Sequence, residues 1–89
     1  PMSITVVVKL KVEDYGKFEA SFATRKTARE AAGLQLNPYR DMDDANSVVV
    51  LGTVSSKEAF LGFLGTPEQQ EAMKNATIQG PPEVTFLAG

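Results

Sequence analysis

The chain has 89 residues, with neither cysteine nor histidine. That length suits one domain, expected over residues 2–89, and the missing residue types exclude disulfides, thiolate nucleophiles, imidazole bases and most zinc or haem ligation. The net charge of -2 and pI of about 5.0 speak against a nucleic-acid partner.

No apolar run approaches the ~20 residues of a membrane span, and the first residues show no secretory leader pattern. A cytoplasmic protein without membrane attachment is the expectation. Pro1 stands directly before Met2 and reads as a tag remnant rather than an amino-terminal catalytic base.

In residues 3–12, Ile4, Val6, Val8, Leu10 and Val12 alternate with Thr5, Val7, Lys9 and Lys11. That period of two predicts a strand. Asp14 is placed as N-cap of a helix running to about Ala32, with Gly33 as its C-terminal cap. At 100° per residue, Tyr15, Phe18, Ser21, Phe22, Arg25, Arg29 and Ala32 form one stripe of that helix.

Leu34 to Met42 suits a second strand. Pro38 lacks an amide donor, so this strand should be an edge or carry a bulge. Asp43, Asp44, Ala45 and Asn46 are turn formers. Ser47 to Val54 reads as the strongest strand, and its apolar run suggests burial on both faces.

Ser55 and Glu58 fit a capping box for a helix over 57–64. Gly65 breaks it, and Thr66, Pro67 and Gln69 start another that runs to about Ala76. Gly80, Pro81 and Pro82 should halt regular structure before a last strand, 84–87.

The order β-α-β-β-α-β predicts an α+β, ferredoxin-like antiparallel sheet with helices on one face. The other face is expected to carry Val7, Val49, Leu51, Val84 and Phe86, too apolar to leave in water. A domain this small buries only ~60–65% of its unfolded surface. A homodimer closing a dimeric α+β barrel is the expectation that follows.

The stretches KVEDYGKFEASF, TAREAAGL, YRDMDDANSVVVLGTV, FLGTPEQQEAM and GPPEVTFL resemble the antibiotic-biosynthesis-monooxygenase-like, dimeric α/β-barrel superfamily. The likeness is greatest to small bacterial proteins described as cyclases or monooxygenases. The resemblance spans nearly the whole chain and implies the same fold. It also implies an activity among cofactor-free oxygenation, cyclisation and isomerisation on a hydrophobic, oxygenated small molecule, aromatic or polyketide-like, with no cofactor. Haem degraders of this fold rely on histidine and tryptophan, and this chain has neither. In the closer group the position of Arg25 is often histidine, while that of Arg29 is often arginine.

Arg25 and Arg29 are the sharpest chemical signal, because two cations fall on an aromatic stripe. They can grip a carboxylate, phenolate or enolate oxygen in a pocket beside Phe18 and Phe22. The competing reading is a salt bridge to Asp41, Asp43 or Glu30, or snorkelling at the rim. Tyr15, Tyr39 and Asp41 are the candidate proton carriers. Asn37 and Asn75 are candidate pocket-lining groups, with Asn37, Tyr39 and Asp41 on one strand face if the pleat is regular.

Asp41, Asp43, Asp44 and Asn46 lack the glycine and closing glutamate of an EF-hand, so no metal is implied. Gly62 and Gly65 lack the Lys-Ser/Thr of a phosphate loop. Phe60, Phe63, Leu64 and Met73 read as core. Beside an enzyme, a non-catalytic ligand-binding protein and a structural dimer whose arginines make only internal bridges remain open.

Overall fold

In the computed structural model, which describes residues 4–88, eight elements follow one another. They are β1 (Ile4–Val12), α1 (Tyr15–Thr24), α2 (Lys26–Ala31), β2 (Leu34–Arg40), β3 (Ser47–Val54), α3 (Lys57–Leu64), α4 (Pro67–Asn75) and β4 (Ile78–Leu87). The four strands form one antiparallel sheet in the order β2-β3-β1-β4. This is the α+β, ferredoxin-like arrangement, with each connecting helix divided in two. The expectation for Pro1 lies outside the described residues.

The alternation in β1 sends Val6, Val8, Leu10 and Val12 into the core, all buried. They meet Phe18 of α1, Phe60 and Phe63 of α3, and Val48, Val50 and Val54 of β3 in one apolar cluster. Pro38 sits in β2, an edge strand whose register with β3 is unbroken, so its missing N–H costs no ladder bond.

Five expectations are corrected. The first helix is interrupted at Arg25 (φ -101°, ψ 7°). The Thr24 hydroxyl donates to Ser21 O at 2.6 Å, occupying the carbonyl that Arg25 N–H would reach in a continuous helix. Arg25 N donates instead to Phe22 O at 3.2 Å.

The cap of α3 is Ser56, not Ser55: its hydroxyl accepts from Ala59 N at 3.0 Å. Ser55 instead lies where a side chain on Gly33 would go.

The last strand begins at Ile78, before the Gly80-Pro81-Pro82 segment. The register slips between Lys9↔Glu83 and Lys11↔Gln79, and Gly80 takes φ 73° to allow it. An edge strand tolerates both prolines.

Finally, Val84 pairs with Val8 and Phe86 with Val6. Both therefore point to the helix side and pack on the core. The outer sheet face instead carries Asn37, Leu51, Val7 and Thr85 in one row and Tyr39, Val49, Lys9 and Glu83 in the next. Leu51 is 39% exposed, so β3 is buried on its inner face only.

Candidate functional site

A cavity lies between the sheet and the helix layer. Val8, Leu10, Leu36 and Val50 form its floor. Phe18 and Phe22 of α1, Phe60 and Phe63 of α3, and Ala72 and Met73 of α4 form its walls. Its volume is about 70 Å3, and it is partly open to solvent. Arg25, Arg29, Ser21 and Gln69 are its polar side chains.

The break after Thr24 creates the site. There the Phe22 carbonyl accepts both from Arg25 N, at 3.2 Å, and from Arg29 Nη1, at 2.6 Å. Arg29 is 6% exposed, the one buried charged residue among those described. Its guanidinium carbon lies 3.6 Å from the Phe22 ring centre, a desolvated cation–π contact. Burial, and then the nearby Arg25 charge, push its pKa below the ordinary arginine value, while Glu30 opposes them.

Arg25 stands at the junction of α1 and α2. Its Nε donates to Gln69 Oε1 at 3.0 Å, and its guanidinium carbon lies 5.5 Å from the Phe63 ring centre. Neither arginine makes a salt bridge among the described residues. Among the described residues the ion pair is Lys11–Asp44 at 2.7 Å, on the surface. The expected bridges from the arginines to Asp41, Asp43 or Glu30 are therefore not formed. Two guanidinium groups meet in an apolar cavity with no carboxylate among its lining residues.

Phe18, Phe22, Arg25 and Arg29 are thus brought together as the helical stripe predicts. The other candidates are not brought to this cavity. Tyr15 packs on Phe18 at 5.9 Å and lies under the Arg40 guanidinium, 4.5 Å from its carbon. Tyr39 is 55% exposed and shares the outer sheet face with Asn37. Asp41 lies beyond the end of β2, and its Oδ1 accepts from Asp43 N at 2.7 Å in a local turn. Asn75 is exposed and lines an open groove between α1 and α4.

Ser21 falls on the predicted stripe, but the contact it makes across the helices, and the part Gln69 plays, are not legible locally. Gln69, expected as a capping-box partner, gives its backbone N–H to Thr66 Oγ1 at 3.3 Å and sends its side chain to Arg25. Ser21 Oγ donates to Ala72 O at 2.6 Å, joining α1 to α4. Both bonds cross more than 40 residues of sequence, so no short motif encodes them.

No protein-family model and no curated protein matches the chain. Solved structures do. A candidate antibiotic biosynthesis monooxygenase from Bordetella bronchiseptica is 17% identical, with a TM-score of 0.83 over 100% of this chain and 98% of that one. A candidate antibiotic biosynthesis monooxygenase from Caulobacter crescentus CB15 is 24% identical, with a TM-score of 0.78 over 99% of this chain and 90% of that one. SnoaB from Streptomyces nogalater, a cofactor-independent oxygenase, is 21% identical, with a TM-score of 0.73 over 100% and 94%. The chain therefore has the α+β fold of the antibiotic-biosynthesis-monooxygenase-like structures.

Proposed function

We propose that this protein is a small-molecule enzyme that binds a hydrophobic, oxygenated substrate as an anion and acts on it without a cofactor, by cyclisation, isomerisation or oxygenation. One observation carries the reading: Arg25 and Arg29 both line an apolar cavity and, among the described residues, neither is neutralised by a carboxylate. Two guanidinium groups in an apolar, partly enclosed site favour the conjugate base of a phenol or enol. That electron-rich form is the starting point of all three reaction types. SnoaB, of the same fold, is a cofactor-independent oxygenase, which supports the reading.

The cavity lining holds no tyrosine or carboxylate. The proposal therefore rests on Arg25 and Arg29 for anion binding and on Phe18 and Phe22 for the apolar body. It gives Tyr15, Tyr39, Asp41, Asn37 and Asn75 no part at this cavity. An aromatic ring enters only if the cavity widens. The wall best suited to move is α4, which contains no buried residue. A homodimer formed through the outer sheet face belongs to the same proposal.

The volume of about 70 Å3 favours a second reading, since small-molecule pockets span about 300–1,000 Å3. In that reading the arginines serve only packing, and the chain is a structural dimer without a ligand.

Titration of 4-nitrophenol by absorbance separates them. Binding at the arginines lowers the apparent pKa of the phenol, and both Arg25→Ala and Arg29→Met reduce the shift. Absence of a shift at millimolar protein, or a shift indifferent to both substitutions, overturns the anion-binding proposal.

A further inference from the structure

We propose that Gln69 is a positioning residue that holds the Arg25 guanidinium on the cavity side of the α1–α4 seam, while Glu68 and Glu71 compete for the same charge from outside. This inference rests on the anion-binding reading of the cavity given above.

The seam is one side chain thick. Ser21, Arg25 and Ala72 line both the inner cavity and the open groove outside it. Two hydrogen bonds close it: Ser21 Oγ to Ala72 O, and Arg25 Nε to Gln69 Oε1. Helical spacing divides α4 into two faces. Gln69, Ala72 and Met73 look into the cavity, whereas Glu68, Glu71 and Asn75 line the groove. Lys17 also lines the groove and answers part of that negative charge.

Arg25 is the residue free to choose between the faces. It occupies the helix break as the C-cap of α1 and carries a long, rotamer-rich side chain. Coulomb attraction alone draws it outward to two carboxylates. A neutral amide inside opposes that pull with a directed bond. Because the amide brings no charge, it fixes the guanidinium without neutralising it, and the cation stays available to an anion in the cavity. A glutamate at position 69 would position Arg25 equally well and cancel its charge.

The test uses the full chain, the Nε–H signals of arginine in 15N NMR spectra, and 4-nitrophenolate affinity. Gln69→Ala is expected to shift the Arg25 Nε–H resonance, speed its exchange and weaken 4-nitrophenolate by about tenfold, the size of one hydrogen bond to a charged group. Glu68→Gln with Glu71→Gln restores most of that affinity in Gln69→Ala and raises it far less in the wild type, a difference that a merely structural role for Gln69 would not produce. Gln69→Glu keeps the Nε–H resonance protected yet also weakens the phenolate.

If Gln69→Ala leaves affinity intact while Arg25→Ala lowers it, the site reading survives and the positioning role is lost. If the glutamine replacements at 68 and 71 restore nothing, the competition is refuted. Affinity unchanged in Arg25→Ala and Arg29→Met alike removes the site itself.

Discussion

The guanidinium carbon of Arg29 lies 3.6 Å from the centre of the Phe22 ring, and Arg29 Nη1 donates to the backbone oxygen of that same residue at 2.6 Å. One residue thus supplies Arg29 with a π-face and an acceptor. Neither contact neutralises the cation. A buried charge held this way is expensive in folding terms and useful in binding terms.

Replacing Arg29 with methionine keeps an apolar chain over Phe22 and removes the desolvated charge. Stability is expected to rise or to stay within about 1 kcal/mol. Affinity for 4-nitrophenolate should fall tenfold or more, as for a lost charged hydrogen bond. Chemical denaturation and the absorbance titration measure the two effects separately. A loss of stability beyond about 3 kcal/mol would assign Arg29 to the scaffold instead.

Gly52 is fixed by close approach. A Cβ there would stand 1.9 Å from Gln35 O on the neighbouring strand. Glycine-to-alanine changes in regular strands usually help by several tenths of a kcal/mol. Here Gly52→Ala should cost about 2–4 kcal/mol by forcing β2 away from β3. Urea unfolding gives the answer, and a stabilised variant would contradict the close approach.

Leu51 marks the outer sheet face, beside Val7 and Asn37. Light scattering of the wild type at micromolar concentration should give twice the 9.6 kDa chain mass. Leu51→Lys should give the single-chain mass while the helix-side core stays folded by circular dichroism. A monomeric wild type would remove the proposed dimer.

The β2–β3 turn supplies a pH dependence. Asp44 has its pKa depressed, first by the hydrogen bond from Lys11 at 2.7 Å, then by Ser47 Oγ at 2.7 Å and Asn46 N at 3.0 Å. A carboxylate lowered in the folded state binds its proton more readily when unfolded. Its stabilisation is therefore present above the unfolded value and fades as pH falls from about 4 toward the folded one. Melting temperatures between pH 6 and pH 2 should fall more for wild type than for Asp44→Asn, and salt should shrink the difference because the pair is exposed. Parallel curves would show that the turn contributes nothing.

Much of this architecture was legible locally. The alternation of β1, the Asp14 cap, the Thr66-Pro67 helix start and the edge position of Pro38 each follow from one short segment. The stripe from Phe18 to Arg29 likewise anticipated which α1 and α2 side chains meet in the cavity. What failed were features decided by competition between partners. The Thr24 hydroxyl won a carbonyl from the Arg25 amide, and Ser56 rather than Ser55 capped α3. The facing of Val84 and Phe86 hung on how β4 registers against β1.

By itself, then, the sequence determined the order of elements, the buried face of β1 and the presence of two cations on an aromatic helix stripe, because periodicity and capping act over a few residues. Three-dimensional packing was needed to leave those cations without carboxylate partners among the described residues, to join α4 to α1 around them through Gln69 and Ser21, and to set Tyr39 and Asn37 on the far side of the sheet. Strand register and contacts across 40 or more residues settle such matters, and a one-residue slip reverses every side chain it touches.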